Sequence, residues 1–348
     1  MRSSKRRALI VGATGQDGML LGRYLTRRGY EILGTSRNSV GGLKRVRDFG
    51  LDASMSLVTM LPSDFRSVFS VIQKFRPHEV YNLAGQTSVS LSFDQPVETM
   101  ESISHSNLIL LEVIRLVDRC IRYYNAVSTE IFGNIENGLA ASELAVLNPR
   151  SPYGVAKSSS YWLVRNYREA YGLHLSSGIL SNHESEFRPT SFVIPKIVST
   201  AAKISKSHAE TLFLGNIDIQ RDWGWAEDYI EAMWLMLQRP EPSDYVIGTG
   251  RTVSLKYILN RAFENFNLNW HNFVAFEPSE LRPTDIQRSA IDPSKAYRDL
   301  GWRALHDVDA VVDRLSKFFE SSQSTPAPPR VIEPRPWSNS SHASHVVG

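Results

Sequence analysis

The sequence is almost devoid of cysteine, with Cys120 alone among 348 residues. A single cysteine excludes an internal disulfide and a cysteine-based zinc cluster, which is usual for proteins of a reducing cytoplasm. Cys120 follows an apolar helical run, so we expect its side chain to be buried. These features favour a cytoplasmic protein stabilised by its hydrophobic core, and no metal site is expected.

Long apolar runs are also missing. No segment contains the roughly 20 apolar residues that a membrane-spanning helix requires, so no membrane partner is expected. The basic start, MRSSKRR, precedes ALIVGATG, whose apolar run is too short for the core of a signal peptide and is interrupted by glycine. We therefore expect the basic residues to form a solvated leader before a first strand.

The excess of one charge sign is small as well. The formal net charge is +3, and acidic and basic residues are mixed along the chain. Because nucleic-acid-binding domains usually concentrate a larger basic excess on one face, nucleic acid is not an expected partner. With 42% hydrophobic and 22% charged residues, the composition is typical of a soluble globular protein of one large domain or two ordinary ones.

Short apolar strands alternate with helices through the first half of the chain. The predicted strands are 8–12, 30–37, 56–60, 78–85, 120–128 and 173–180. The first helix follows GATGQDG, and the later helices are 64–75, 100–119 and 151–172. This alternation predicts an α/β fold with a Rossmann-type, doubly wound parallel sheet and right-handed crossovers.

The pattern loosens after about residue 183, where Pro189 and Pro195 interrupt it. A helix is expected to begin near Lys196, followed by a helix over 228–237 and a strand over 244–250. This part of the chain therefore predicts a smaller, discontinuous α/β region that rests against the ends of the strands.

The predicted domains are discontinuous. The cofactor-binding domain comprises residues 1–182 and about 217–250, and the substrate-binding region comprises 183–216 and 251–320. Residues 321–348 are rich in Ser, Pro and His and lack apolar periodicity, so we expect a disordered tail.

A glycine-rich segment joins the first strand to the first helix with the spacing GxxGxxG. Glycines let the backbone approach a pyrophosphate, and the helix N-terminus contributes N–H donors and the positive end of its dipole. A tight turn without a ligand is the alternative, but a motif at the head of a βαβ series favours a dinucleotide. The candidate cofactor-binding residues of this segment are Gly12, Thr14, Gly15, Gln16, Asp17 and Gly18.

The end of the second strand bears on which dinucleotide binds. NAD sites usually place an acid there for the ribose hydroxyls, whereas this strand continues into Ser36, Arg37, Asn38 and Ser39. Arg37, helped by the two serine hydroxyls, can hold a 2′-phosphate. A surface arginine in a loop is the alternative. The missing acid and the added base together favour NADP.

Tyr153 and Lys157 form a YxxxK motif at the start of a predicted helix, and Ser128 and Glu130 end the fifth strand. Residues four apart share a helix face, and a lysine ammonium beside a positive nicotinamide favours the phenolate of Tyr153. Tyr153 is therefore expected to be a base near neutral pH in hydride transfer at a secondary alcohol. Glu130 is either a solvated strand end or a catalyst, because a buried carboxylate is costly unless it is solvated, paired or used.

These motifs are those of the extended short-chain dehydrogenase/reductases, and within that group the sequence resembles the GDP-mannose 4,6-dehydratases over nearly all of residues 8–318. The segments that carry the resemblance include VGATGQDG, VYNLAGQTSV, STEIFG, NPRSPYGVAK, NHES, RDWGWAEDYIEAMWLMLQ and LRPTD. The resemblance implies a lyase that converts GDP-mannose to GDP-4-keto-6-deoxymannose. It also implies a tightly bound NADP that is regenerated in each turnover.

The resemblance implies roles for the polar groups of the site. Tyr153, held by Lys157, takes the proton from the sugar O4 while hydride leaves C4. Glu130, assisted by Ser128, removes the C5 proton and helps to expel the C6 hydroxyl before hydride returns to C6. The further cofactor contacts implied are Leu83, Ala84 and His183. The substrate contacts implied are Asn182, Lys196, Arg221, Arg282 and Ser88, the last with a structural role as its alternative.

Several residues depart from the family pattern on the side of the nucleotide sugar. Leu61 stands where an acid normally faces the adenine, and Glu186 and Pro195 lie in segments that usually carry arginine. Trp225 and Glu227 replace a histidine and a lysine after RDWG. A related substrate, such as a GDP-heptose or another NDP-hexose, therefore stays open.

Two other classes of function are also open. A nucleotide-sugar reductase or epimerase would not need Glu130, and a non-catalytic NADP-binding protein would not need the Tyr–Lys pair. The predicted helices 100–119 and 151–172 would form the paired-helix surface of a homodimer. In the family the segment 37–47 also bridges subunits, so homodimer and homotetramer are both open.

Overall fold

The computed structural model describes residues 5–48, 50–51, 55–207 and 210–322. Its strands, in chain order, are β1 Arg7–Val11, β2 Glu31–Ser36, β3 Ser56–Thr59, β4 Glu79–Asn82, β5 Arg122–Ser128, β6 Leu175–Leu180, β7 Asn182–Glu184, β8 Leu212–Leu214, β9 Gln220–Trp225, β10 Tyr245–Ile247, β11 Thr252–Ser254 and β12 Val274–Phe276. Its α-helices are α1 Gln16–Arg27, α2 Ser39–Asp48, α3 Phe65–Phe75, α4 Val89–Asp94, α5 Pro96–Met100, α6 Ser106–Val117, α7 Pro152–Tyr171, α8 Val193–Ser207, α9 Ala226–Gln238, α10 Leu255–Glu264, α11 Ser294–Leu300 and α12 Val308–Ser322.

The centre of the fold is a seven-stranded sheet in the order β3-β2-β1-β4-β5-β6-β10, in which every neighbouring pair is parallel. The reversal of strand order between β1 and β4 is the switch point of a doubly wound sheet, where ligands bind beyond the carboxyl ends of the strands. β4 and β6 are buried along their whole length, as expected of a sheet covered by helices on both faces. The predicted Rossmann-type parallel sheet is confirmed.

Helix α7 shows how local sequence signals position the site. The Ser151 Oγ accepts a hydrogen bond from Gly154 N at 3.0 Å, and Pro152 occupies the first turn, where its missing N–H has no intrahelical partner. Gly172 ends the helix with φ 64° in the left-handed region. The cap and the proline begin α7 directly before Tyr153 and so place that residue in its first turn.

The predicted helix over 100–119 consists of three consecutive segments. α5 leads into a π-helical turn, Glu101–His105, which leads into α6. In the wide turn the Ser106 Oγ donates to the carbonyl O of Glu101 at 2.9 Å. The side chain of Ile103 is buried there, and a Cβ on Gly85 would lie 3.0 Å from it. The π turn therefore packs against the loop that follows β4.

A second group of elements lies at the carboxyl end of the large sheet. β7 follows β6 after one residue and pairs with β9, which also pairs with β11, and β8 pairs with β12. Side chains from α8, β9, α10 and α12 form a second hydrophobic core, including Ile197, Trp223, Leu259, Phe263 and Val312. The predicted domain boundaries stay a prediction. The elements themselves are discontinuous in sequence, as in the predicted region.

Two local predictions differ from the structure. Cys120 is exposed, so the prediction of burial is wrong: the apolar helix ends at Val117, and Cys120 lies in the turn before β5, where its N–H donates to Asp118 Oδ1 at 2.9 Å. The helix near Lys196 begins at Val193, and Pro195 lies in its first turn, which tolerates proline.

Residues 1–4 of the basic leader lie outside the described residues, and Lys5 and Arg6 are exposed, as expected of a solvated leader. Arg6 is fixed to the fold, because its Nη1 donates to Gln238 Oε1 at 2.6 Å and its Nε lies 3.4 Å from Glu79 Oε1. At the other end, α12 extends through Ser322. The predicted tail from there, residues 323–348, lies outside the described residues.

Over the described ranges, no helix combines the length and apolar character needed to cross a membrane. Within the same ranges, no group of three or more His, Cys, Asp or Glu side chains is arranged to hold a metal ion.

Candidate active site

The turn between β1 and α1 is built around glycines with different constraints. Gly12 has φ 86°, and a Cβ there would lie 2.9 Å from the backbone N of Ala84. A Cβ on Gly18 would lie 2.4 Å from the carbonyl O of Gly12. A Cβ on Gly15 would meet that same oxygen at 3.4 Å, an ordinary van der Waals distance, and no other non-neighbouring atom of the described residues within 4 Å. Packing therefore requires Gly12 and Gly18, whereas the space beside Gly15 is open to a ligand.

The first turn of α1 has no side-chain cap, so its N–H groups are available to an anion. The Gln16 side chain is used within the protein: its Nε2 donates to the carbonyl O of His183 at 3.2 Å, and its Oε1 accepts from Ser185 Oγ at 2.8 Å. Thr14 packs against α2, since a Cβ on Gly42 would lie 2.7 Å from its Cγ2. Gln16 therefore offers a cofactor its backbone N–H, while its side chain links α1 to β7.

Asp17 and His183, both predicted cofactor contacts, contact each other. The His183 Nε2 lies 3.1 and 3.2 Å from the two carboxylate oxygens of Asp17. Burial alone would raise the pKa of Asp17, but the charge and hydrogen bond of His183 lower that pKa to about 2. Burial alone would lower the pKa of His183, but Asp17 outweighs it and the pKa is raised. Both side chains therefore form an ion pair at the start of α1.

The end of β2 presents an exposed cation. Arg37 is exposed, and in the part of the chain that the structure describes no hydrogen bond or ion pair engages its side chain. The Ser36 Oγ donates to the carbonyl O of Asn38 at 3.1 Å, and Ser39 shares a hydrogen bond of 2.7 Å with Thr59. Beyond β3, Leu61 is 47% exposed. Arg37 is thus free to meet a phosphate, and Leu61 offers a nucleotide only apolar surface.

The loop after β4 closes the other side of the glycine turn. The backbone N–H of Leu83 donates to Val11 O at 2.9 Å, and Ala84 is the residue that a Cβ on Gly12 would strike. Ser88, predicted as a substrate contact, caps α4 by accepting from Leu91 N at 3.2 Å. Its hydroxyl therefore has the structural role that the sequence left as the alternative.

Tyr153 and Lys157 are both buried on α7, facing the end of β5. The Lys157 Nζ donates to the carbonyl O of Ala126 at 2.7 Å and lies 5.7 Å from the centroid of the Tyr153 ring. Burial lowers the pKa of Lys157 to about 8, an effect that the charge of Asp17 partly offsets. The expected YxxxK arrangement is present, and the ammonium is held by backbone.

The expectation that Tyr153 is a base near neutral pH included the charge of a nicotinamide and stays a prediction. Burial raises the pKa of Tyr153 to about 12, and a hydrogen bond with Ser128 offsets only part of that effect. The residues of the chain therefore do not by themselves make Tyr153 a base near neutral pH. The Ser128 Oγ also accepts from the backbone N–H of Glu130 at 3.3 Å, so it joins the phenol of Tyr153 to the main chain at Glu130.

Glu130 lies in the short 3₁₀ turn Thr129–Ile131 that ends β5 and is 9% exposed. Burial raises its pKa, and the charges of Arg221 and Arg282 lower it. The Arg221 Nε lies 3.9 Å from Glu130 Oε1. The solvated strand end is therefore excluded: Glu130 is a buried carboxylate next to a buried cation.

The sequence did not single out Asp285, which joins the two predicted phosphate ligands. Its Oδ1 accepts from Arg221 Nη2 at 3.2 Å and from Arg282 Nη1 at 3.3 Å. Glu130, Arg221, Asp285 and Arg282 thus form a cluster of two carboxyl groups and two guanidinium groups. The short spacing of Arg282 and Asp285 in LRPTD was the available signal, but their contact with Arg221 comes from the fold.

The remaining predicted substrate contacts differ in their availability. Asn182 begins β7 and is half-buried, and no side-chain hydrogen bond occupies it in the described residues. Lys196 donates to Phe213 O and to Glu280 Oε1, both at 2.8 Å. A diphosphate would therefore meet a free amide at Asn182 but would have to compete with Glu280 for Lys196.

Trp225 and Glu227, which depart from the family pattern after RDWG, contact each other. The buried Trp225 donates through Nε1 to Glu227 Oε2 at 3.2 Å, and Glu227 also pairs with Arg23 on α1. The guanidinium of Arg314 lies over the Trp225 ring, 5.2 Å from its centroid. The indole and the carboxylate therefore act as one unit that joins α1, α9 and α12.

Comparisons with known proteins agree over most of the chain. Residues 9–315 match the family model described as GDP-mannose 4,6 dehydratase. GDP-mannose 4,6 dehydratase 1 of Arabidopsis thaliana is 41% identical over 307 residues, covering 85% of this chain and 84% of the relative. GDP-mannose 4,6-dehydratase of Sinorhizobium fredii is 37% identical over 326 residues, covering 86% of this chain and 93% of the relative.

A solved structure is similar in fold at lower identity. The dTDP-glucose 4,6-dehydratase of Bacillus anthracis in complex with NAD has a TM-score of 0.80 and 18% identity, covering 92% of this chain and 98% of that chain. The resemblance inferred from the sequence motifs is thus confirmed. Because the family model matches residues 9–315 and the two relatives are 41% and 37% identical over most of both chains, the protein belongs to the GDP-mannose 4,6-dehydratase family.

Proposed function

We propose that the protein is a GDP-mannose 4,6-dehydratase that converts GDP-mannose to GDP-4-keto-6-deoxymannose. The observation that carries the proposal is Glu130, a buried carboxylate whose Oε1 lies 3.9 Å from Arg221 Nε. Its backbone N–H donates to Ser128, the residue that is hydrogen-bonded to Tyr153. A nucleotide-sugar reductase or epimerase that works through Tyr and Lys has no use for this carboxylate. Elimination of water needs such a group to accept the C5 proton.

The glycine turn fits a dinucleotide, because the position beside Gly15 is open and the first turn of α1 is uncapped. We propose NADP, tightly bound and regenerated in each turnover. The exposed Arg37, which no other described residue engages, supports a 2′-phosphate, and Ser36 and Ser39 lie beside it in sequence. When bound, the nicotinamide supplies the hydride acceptor for sugar C4 and the hydride donor for C6.

The side chains of the site have separate tasks in the proposed reaction. Tyr153 accepts the proton of the sugar O4 hydroxyl, and Ser128 stabilises the phenolate by a hydrogen bond. Lys157, fixed on the Ala126 carbonyl, holds a positive charge 5.7 Å from the phenol ring. Glu130 accepts the C5 proton, which the C4 ketone acidifies, and donates a proton to the departing C6 hydroxyl, which leaves as water.

We propose that the diphosphate of the substrate binds Arg221 and Arg282, with Asn182 as a neutral donor on the opposite strand. Arg221 is 4% exposed, and a buried guanidinium binds a phosphate strongly because water competes little. Lys196 would join once released from Glu280. The carboxylate of Asp285, which already pairs with both arginines, would keep them in place before the substrate arrives.

Exposed apolar residues on α5 and α7 bear on whether the protein forms a homo-oligomer. Val97, Val155 and Trp162 on α5 and α7 are 72%, 46% and 52% exposed, which supports a homo-oligomer, a dimer or a tetramer, built on this face. Exposed apolar surface of this kind is usual at protein interfaces.

We propose a cytoplasmic location from the lone and exposed Cys120.

The reaction is tested with GDP-mannose deuterated at C4. The expected product is a 4-keto-6-deoxy nucleotide sugar with deuterium at C6, and no net consumption of NADPH. Conversion of a different nucleotide sugar with the same label transfer would refute the substrate but not the chemistry. Net oxidation of NADPH would support a reductase instead.

The role of Glu130 is tested with Glu130→Gln, which keeps the size of the side chain and removes its base. The variant is expected to retain NADP and to lose at least about 100-fold in turnover, the usual contribution of a general base. Glu136→Gln, an exposed carboxylate a few residues further along the chain, is the matched control. Near-normal turnover by Glu130→Gln would remove that residue from the mechanism.

A further inference from the structure

The Asp17–His183 ion pair joins the pyrophosphate-binding turn to the first strand of the small sheet. Asp17 lies in the first turn of α1, and His183 lies in β7. The His183 Nδ1 faces the carbonyl O of Ser181 at 2.8 Å, and its Nε2 faces the Asp17 carboxylate at 3.1 Å. Because neither a carbonyl nor a carboxylate can donate, both ring nitrogens must carry hydrogen, and His183 is an imidazolium.

Neighbouring groups hold the ring in this orientation. Tyr229 on α9 stacks on the imidazole with 4.5 Å between ring centroids and 26° between planes. The charged groups that act on the pair are Arg188 from the segment after β7, Glu184 from β7 and Lys157 from α7. The titratable phenols of Tyr153 on α7 and Tyr124 on β5 also face Asp17. The stacked ring and its two hydrogen bonds therefore fix His183 against Asp17.

The position of Asp17 has a consequence for anion binding. A carboxylate in the first turn of a helix occupies the same positive end of the dipole that a pyrophosphate would use. Paired with an imidazolium, Asp17 contributes no net charge there. Unpaired, it would repel a pyrophosphate within a partly buried site, where charges are poorly screened.

We propose that His183 and Asp17 are a positioning pair for the cofactor-binding turn, in which the proton on His183 neutralises Asp17 and leaves the N-terminus of α1 open to a dinucleotide pyrophosphate. The proposal rests on the proposed function only in that the site binds a dinucleotide, and it does not depend on which sugar reacts. His183 thereby acts through Asp17 and needs no side-chain contact of its own with the cofactor.

The sign of the expected pH dependence follows from the proton. NADP binds the form with His183 protonated, so its affinity is highest below the pKa of His183. Asp17 raises that pKa, and the loss of affinity therefore falls on the alkaline side of pH 6.5. There the dissociation constant should rise by up to about tenfold per pH unit.

The test measures the dissociation constant of NADP⁺ by calorimetry on the full chain from pH 7 to 9.5, above the titration of the 2′-phosphate. His183→Gln is expected to bind about 10- to 100-fold more weakly at pH 7, because Asp17 loses its partner. Asp17→Asn is expected to bind with a flatter pH dependence and more tightly than the wild type at pH 9. The double variant should bind within about threefold of the wild type at pH 7.

The rescue in the double variant distinguishes charge neutralisation from a structural role. If the pair only holds α1 against β7, Asp17→Asn and the double variant will both bind weakly at every pH, which overturns the proposal. A flat wild-type profile also overturns it. Lys157 titrates in the same pH range but is present in both the wild type and His183→Gln. The difference between the pH profiles of NADP⁺ binding by these two proteins therefore belongs to the pair. His271→Gln, an exposed histidine, is the control.

The outcome is independent of the reaction. A chain that binds NADP⁺ with the expected pH dependence but does not convert GDP-mannose would refute the proposed function and keep the positioning pair. A chain that converts GDP-mannose but binds NADP⁺ equally at all pH values would do the reverse.

Discussion

Substitution of Arg221 by Gln removes the cation nearest to Glu130. The Arg221 Nε lies 3.9 Å from Glu130 Oε1, and both side chains are nearly buried. At an effective dielectric constant of about 20, two unit charges at this distance interact by about 4 kcal/mol. Loss of this interaction raises the pKa of the Glu130 carboxyl, because Arg221 favours its charged form.

The sign of the effect is clear from the charges. Burial already raises the pKa of Glu130, and the charge of Arg221 opposes this rise more strongly than that of Arg282. Without Arg221 the carboxyl stays protonated to higher pH and cannot accept the C5 proton there. The acid limb of the kcat profile is therefore expected to move to higher pH. Arg282 remains in the variant and limits the size of the shift.

The assay is the pH dependence of kcat for loss of water from GDP-mannose at saturating substrate, so that weaker diphosphate binding does not enter. Bound NADP is quantified in parallel from its absorbance. Arg282→Gln is the matched control, because Arg282 contacts Asp285 and not Glu130; its acid limb should move less. If Arg221→Gln raises KM alone and leaves the acid limb of kcat in place, the electrostatic account of Glu130 is refuted.

Three further predictions follow from single residues. Gly18→Ala should lower NADP affinity and stability, by about 1–3 kcal/mol in stability, because its Cβ would lie 2.4 Å from the Gly12 O, whereas Gly15→Ala should lower affinity with little change in thermal unfolding. Arg37→Asp should reverse the preference between NADP and NAD, measured as the ratio of their dissociation constants, and an unchanged ratio would argue against Arg37 as the 2′-phosphate ligand. Cys120 should react with a thiol reagent such as dithionitrobenzoate in the native protein, with one equivalent per chain and no need for denaturant.

The parts of the fold that rest on local signals could be predicted from the sequence. The glycine turn, the alternation of strands and helices, and the Ser151–Pro152 start of α7 are short-range patterns whose physical cause lies within a few residues. The π turn Glu101–His105 was missed because its cause is packing against the loop after β4, and the helical periodicity of the sequence hides it.

In the candidate site, too, some residues could be predicted from the sequence and some contacts could not. Glu130, Tyr153 and Lys157 could be predicted because a motif and a resemblance indicated their positions. The contact of Asp285 with Arg221 and the pairing of Asp17 with His183 could not, because each of these contacts joins residues distant in sequence. The burial of Cys120 was predicted wrongly because an apolar run says nothing about the turn that ends it.

The hydrogen bond from Lys157 to the carbonyl O of Ala126 is made to the main chain. Every amino acid brings that acceptor, so substitution at position 126 leaves it present as long as the path of β5 is kept. Evolution can therefore vary the side chain there, for example to reshape the neighbouring pocket, without moving the ammonium. At position 126 the path of the backbone has to be preserved, whereas the type of amino acid can change.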